Sequence, residues 1–117
     1  INGGQLSELK NKNIEVHARS IFLQGILLEP NNLSNYFSRW QCMFAEYQSM
    51  VKKSGFTLLE YALNFILNIK EIDKVLVGVN SEQQLREIVE ALKINKCTIS
   101  AYPINDIDLI NPSLWKI

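Results

Sequence analysis

The chain has little from which to build a metal or redox centre. Histidine occurs once, at His17, and cysteine twice, at Cys42 and Cys97, with no Cys-x-x-Cys pair and no zinc spacing. Two isolated cysteines suit a reducing cytosol, where such residues are usually buried thiols, and argue against a structural disulfide. With no His/Cys/Asp cluster, a metal site has no support. An excess of either charge is missing too: 12 Lys+Arg balance 12 Asp+Glu. No global basic field therefore invites nucleic acid or an anionic membrane. No stretch reaches the ~18 apolar residues of a membrane-spanning helix. Ile1-Asn2-Gly3-Gly4 lacks the basic start and apolar run of a signal peptide. The expectation is a cytoplasmic chain without membrane or nucleic-acid partners. Ile1 is not an initiator methionine, so further sequence upstream is also expected. Internal repeats, low-complexity tracts and domain linkers are absent.

What is present is a core. The 117 residues are 47% hydrophobic, enough for one packed domain. Gln5 to Lys12 reads as a short helix. In Ile14–Phe22, Ile14, Val16, Ala18 and Ser20 alternate with Glu15, His17 and Arg19, the period-2 signature of a strand. Pro30-Asn31-Asn32 ends the apolar stretch that follows. From Leu33 to Lys53, Phe37, Trp40, Phe44, Tyr47 and Val51 recur at helical spacing, an aromatic stripe that reads as core rather than as a cofactor box. After Gly55, Thr57-Leu58-Leu59-Glu60 is a capping box. The helix it opens carries Leu58, Ala62, Phe65, Ile66 and Ile69.

Lys74–Val79 reads as a strand apolar on both faces, as in a covered parallel sheet. Ser81-Glu82-Gln83-Gln84 is a second capping box, opening a helix with Leu85, Ile88, Val89 and Leu92 on its buried side. Thr98 to Tyr102 is either a short strand or extended. From about residue 98 to 117 an irregular but ordered tail is expected, packed through Ile107, Leu109, Ile110, Leu114 and Trp115. Alternating strands and helices predict a parallel α/β arrangement. Two or three strands make a poor sheet, however, and strand 74–79 needs neighbours on both edges. The missing strands belong either to a larger barrel or to another chain.

Two turns carry chemistry. Gly78-Val79-Asn80-Ser81 joins the carboxyl end of a strand to the amino end of a helix, where parallel α/β folds bind ligands. The free N–H groups and helix dipole there suit an anion such as phosphate. On the local pattern alone, the plainer reading is more frequent: Ser81 as a helix cap and Gly78 as a turn residue. Arg19-Ser20-Ile21-Phe22-Leu23-Gln24-Gly25 ends the first strand in the same sense, and Arg19 and Gln24 there could hold an anion and an amide. His17, mid-strand with no diagnostic partner, reads as structural. Glu46, Glu60, Glu71, Asp73, Glu82, Glu87 and Glu90 read as solvated surface. No GxSxG motif or histidine-paired nucleophile is present.

These stretches resemble one family. Ile14–Leu28, with Arg19-Ser20-Ile21-Phe22-Leu23-Gln24-Gly25-Ile26-Leu27-Leu28, is similar to the seventh strand and loop of bacterial aldo/keto reductases, in a branch reading RSxFLQGxLL there. Leu59–Leu67 followed by Asp73–Leu85 resembles the family's ALxFxL … VxxGxxSxxQL signature, which spans the eighth strand and its flanking helices. Asn111-Pro112-Ser113-Leu114-Trp115 resembles that branch's C-terminal ending.

The resemblance implies the C-terminal βα units of a (β/α)8 TIM barrel, a fold of ~250 residues. Residues 1–117 would be its C-terminal portion. It implies an oxidoreductase that reduces small-molecule carbonyls with NADP(H), NAD(H) remaining open. It implies cofactor contacts at Ser20, Phe22, Leu23 and Gln24 along the pyrophosphate, and at Gly78, Asn80, Ser81 and Gln84 toward the adenosine phosphate. The family's Asp, Tyr, Lys and His catalytic group would lie upstream, so no catalytic residue is expected here, and His17 does not match that histidine. Asn80 stands where many members have a base, and Ile88 where many have asparagine. Arg86 is a candidate to supply the missing charge. The alternative is a short non-catalytic phosphate- or nucleotide-binding module, completing its sheet by homo-oligomerisation.

Overall fold

The computed structural model describes residues 4–93 and 102–117. Helix α1 (Gln5–Asn11) leads to β1 (His17–Ala18). A run of turns over 21–28 follows, then a 3-10 helix (Asn35–Trp40) that continues as α2 (Gln41–Lys53). Next come α3 (Leu58–Leu67), β2 (Lys74–Val75) and α4 (Glu82–Leu92). The tail forms α5 (Ile107–Ile110) and a second 3-10 turn (Pro112–Leu114). The chain is thus α/β, with two parallel strands and five α-helices among the described residues. Cys97 and the segment Thr98 to Ala101, part of the possible strand, lie outside the described residues.

The strands pair in parallel, His17 against Lys74 and Ala18 against Val75. Both are shorter than their apolar patterns predict, and among the described residues each has a hydrogen-bonded neighbour on one edge only. At the end of β1 the backbone turns left-handed at Ser20 (φ 57°), which stops the strand before Phe22. Asp73 locks the register. Its carboxylate accepts from Lys10 Nζ at 2.5 Å and from Val16 N at 2.7 Å, while its own N–H donates to Val16 O at 2.9 Å. Lys10 first, then the Val16 N–H, holds the Asp73 carboxyl below its ordinary range. Asp73 is therefore not plain solvated surface: it ties α1 to the start of both strands.

The aromatic stripe is core. Phe37, Trp40, Phe44, Tyr47 and Val51 are all buried along one helical face. The tail closes over it: Leu109 is fully buried and the Trp115 ring meets Phe37 edge-on at 4.9 Å. Polar bonds latch this contact, Trp40 Nε1 to Asp106 at 2.9 Å and Arg39 to Asp108 at 2.8 Å, with Arg39 stacked 3.9 Å from the Trp40 ring. Ile107, Ile110 and Leu114 stay exposed, so of the five expected residues only Leu109 and Trp115 pack, joined by Ile104 and Tyr102.

The Thr57 capping box forms in full: Glu60 N donates to Thr57 Oγ1 and Thr57 N to Glu60 Oε1. That leaves Glu60 structural rather than merely solvated. Helix α4 departs from expectation. Ile88 and Ala91 pack on Leu63 of α3, but Leu85, Val89 and Leu92 are 48%, 45% and 49% exposed. Leu76 and Val79, expected to be buried, are exposed as well. Cys42 is a free thiol on the exposed face of α2, not a buried one. No helix among the described residues is long and apolar enough to cross a membrane.

Candidate functional site

Both candidate turns leave the carboxyl ends of parallel-paired strands, so they project from the same end of the sheet. Between them opens a cleft of about 900 Å³. One wall is the loop after β1, contributing Arg19, Ser20, Phe22, Gln24 and Glu29. The other is the turn after β2, contributing Gly78, Asn80, Gln84, Glu87 and Ile88, with the start of α3 as the floor. Parallel pairing produces this convergence: it aims successive βα turns at one side of the sheet.

The first wall has an unusual backbone. Ser20, Leu23 and Gln24 have φ of 57°, 49° and 57°, and Gly25 has 88°. Left-handed backbone costs a non-glycine residue roughly 1–2 kcal/mol, and such strain clusters at ligand-clamping segments. Local bonds hold it: Leu23 N to Ser20 O at 3.0 Å, Gly25 N to Phe22 O at 3.0 Å, and Leu28 N to Gly25 O at 3.0 Å. Only at Gly25 does the residue type suit the conformation.

On the second wall, Ser81 caps α4, its Oγ accepting from Gln84 N at 3.2 Å. The reciprocal arm of the expected capping box lands one residue earlier. Gln84 Oε1 accepts from Asn80 N at 2.7 Å rather than from Ser81 N. The Gln84 amide therefore folds over the turn and puts an oxygen on a backbone N–H of the cleft wall.

Of the eight predicted cofactor contacts, Ser20, Phe22, Gln24, Gly78, Asn80 and Gln84 line this one cleft. Leu23 and Ser81 are not among its lining residues; they shape its two turns. Arg86 is not among them either, since its guanidinium is held by Glu82 on the exposed face of α4. The cation that lines the cleft is Arg19, which has no ion-pair partner among the described residues. Sequence reading missed Glu87 and Glu29 as wall residues. Glu87 was legible in principle, because it lies one helical turn from Gln84 on the same face.

The profile of the Aldo/keto reductase family matches residues 5–111. The chain belongs to the aldo/keto reductase family. No curated protein matches it. The match takes in both turns of this aldo/keto reductase chain and the helices that carry them.

Among the described residues the cleft holds neither a tyrosine nor a histidine; its acidic groups are Glu29 and Glu87. Tyr36, Tyr47, Tyr61 and Tyr102 all lie elsewhere, and burial, with Tyr61 beside it, pushes Tyr47 up to about 12. His17 sits on β1 with Nε2 2.9 Å from Glu15 Oε1, and Glu15 also meets Lys74 at 3.0 Å. His17 first, then Lys74, lowers the Glu15 carboxyl. Among the described residues no group of three or more His, Cys, Asp or Glu could hold a metal ion.

Proposed function

We propose that this chain supplies the C-terminal βα units of a (β/α)8 barrel, and with them one wall of the nicotinamide-dinucleotide site of an aldo/keto reductase acting on small-molecule carbonyls. The observation that carries the reading is the single cleft shared by Ser20, Phe22, Gln24, Gly78, Asn80 and Gln84. The residues present fit such a group. Arg19 offers one cation, the α4 N-terminus offers N–H groups and dipole, and Ser20, Gln24, Asn80 and Gln84 offer neutral donors and acceptors. Phe22 and Ile88 give apolar surface for a ring to lie on.

When bound, NADP(H) or NAD(H) supplies the hydride that reduces a carbonyl. This chain's residues bind and orient. The Asn80 N–H, now held by Gln84 Oε1 at 2.7 Å, would be a donor for the anionic part of such a group, with the Gln84 amide released to a second contact. The pre-bent loop at Ser20–Gly25 would close on the other side without paying again for its strain. Hydride transfer also needs a proton donor in fixed geometry with cofactor and substrate. No tyrosine stands in the cleft, and burial away from it holds the Tyr47 phenol protonated, its value pushed up to about 12, so the 117-residue chain alone turns over no substrate. Incubating it with NADH or NADPH and an aromatic aldehyde, while following nicotinamide absorbance, should show no oxidation. Calorimetric titration of the same sample should show dinucleotide binding. Turnover would overturn the first statement; absence of any binding would overturn the site.

The strand edges left unpaired among the described residues and the exposed Leu85, Val89 and Leu92 also favour a second reading, a non-catalytic phosphate- or nucleotide-binding module that completes its sheet as a homo-oligomer. Light scattering separates the two. A stable dimer or larger species supports the module, and a monomer supports the barrel portion.

A further inference from the structure

We infer that the C-terminal tail positions the first wall of the cleft from behind, with Leu109 bearing on Ile26 and through it holding the left-handed loop Ser20–Gly25 in place. What the hold does for binding rests on the dinucleotide reading above; the hold itself is a property of the fold.

The loop needs an anchor outside itself. Ser20, Leu23 and Gln24 are non-glycine residues with φ of 57°, 49° and 57°, and such backbone persists where its surroundings over-determine it. Bonds inside the loop, with Ile26 N donating to Leu23 O at 3.2 Å and Leu27 N to Phe22 O at 3.3 Å, fix its shape but not its place against the turn after β2. Side chains at its two ends fix its place. At the front, Ile21 and Phe22 pack on the cluster of Leu63, Ile88 and Ala91. At the rear, Leu27 packs on the cluster of Tyr47, Val51 and Tyr61, and Ile26 is buried in one cluster with Phe37, Trp40, Phe44 and Leu109.

Around Ile26, Phe37, Trp40 and Phe44 come from the 3-10 helix and α2, one continuous element, whereas Leu109 comes from the tail. Leu109 is fully buried, and polar bonds on either side of it set its depth. Before it, Trp40 Nε1 donates to the Asp106 carboxylate at 2.9 Å and Tyr36 Oη to the Asp108 carbonyl at 3.0 Å. After it, Trp115 Nε1 donates to the Leu109 carbonyl at 2.9 Å. Leu109, Asp106, Asp108 and Trp115 do not line the cleft. Leu109 is therefore a positioning residue, reaching a ligand through Ile26 and not by contact. Removing its side chain leaves a cavity into which the surroundings relax in part. A loop residue yields to such a cavity more readily than the helix beside it, and Ile26 is one position from Gly25.

The test is amide order parameters by NMR relaxation, with calorimetric titration by NADH, on the wild-type chain, Leu109→Ala and Leu109→Met, each in conditions where it is fully folded. In the wild type, Ser20 to Gly25 should be as rigid as α3, with order parameters of about 0.85. In Leu109→Ala the loop should fall to about 0.6 or below while α3 stays unchanged. NADH should then bind roughly three- to tenfold more weakly, the scale of substitutions that act through packed side chains. Leu109→Met, which nearly conserves the volume, should restore both. A loop as rigid in Leu109→Ala as in the wild type, or one that loosens no more than α3, overturns the hold. A loosened loop with unchanged NADH affinity overturns its role in binding. Where Leu109→Ala does not fold, Asp106→Ala with Asp108→Ala weakens the clasp alone, and a loop unchanged there overturns the inference equally. A wild type that binds no NADH overturns the dinucleotide reading, while the order parameters still decide the hold.

Discussion

The two halves of the chain treat apolar surface in opposite ways. Around α2 and the tail, every stripe residue from Phe37 to Val51 is buried, Leu109 is sealed, and aromatic edges and indole hydrogen bonds close the contact. Around β2 and α4, Leu76, Val79, Leu85, Val89 and Leu92 remain exposed on equally apolar segments. Local capping does not explain the difference: α4 has a side-chain cap and α2 has none. Supply of neighbours separates them. A helix and a tail can cover each other, but a parallel strand pair needs further strands and helices to cover it. The side that carries the proposed cofactor cleft is also the side left unfinished, as the barrel reading expects.

Substitutions can break this contrast. The largest effect should come from Leu109→Ala, which opens a cavity under the tail and costs about 2–5 kcal/mol; urea unfolding followed by tryptophan fluorescence measures it. Next is Thr57→Ala, which removes the hydroxyl arm of the α3 capping box and costs about 1 kcal/mol. Its check is the same unfolding curve.

Acidification should act more locally. The folded-state value of Asp73 is depressed, so its contribution is present above the ordinary carboxylate range and lost as pH falls through the depressed folded value. Amides of α1 and Val16 should therefore exchange faster below about pH 4, and Asp73→Asn should remove that acid step while leaving the fold in place at neutral pH. The smallest effect should be that of Leu85→Gln with Val89→Gln, under about 0.5 kcal/mol each in this chain. A loss of several kcal/mol there would mean that the stripe is covered in solution, and the contrast between halves would fall.

The sequence made the local features readable and the long-range ones not. Phe37 to Val51 at helical spacing and Thr57 with Glu60 are contacts within a few residues, visible as pattern. The parallel pairing of the two strands followed from their alternation with helices. Asp73 was misread because its partner Lys10 lies 63 positions away, and nothing local marks a carboxylate that registers two strands. Leu85, Val89 and Leu92 were read as buried because periodicity reveals an apolar face but not whether anything covers it. The strand at Ile14–Phe22 was drawn too long, because serine gives no signal for the left-handed turn at Ser20. The candidate cleft was legible in outline: the two turns that wall it were named from sequence, while Glu87 and Glu29 joined it only through the fold.

The central claim is that the Ser20–Gly25 loop and the Gly78–Gln84 turn form one dinucleotide site. Amide chemical-shift mapping of the chain titrated with NADH tests it most directly. The account expects shifts gathered at Ser20 to Gly25, Gly78 to Gln84 and Glu87, rising together with one dissociation constant, while the Trp40 and Trp115 indole signals stay still. Shifts at only one of the two turns, or centred on the aromatic half, would contradict it.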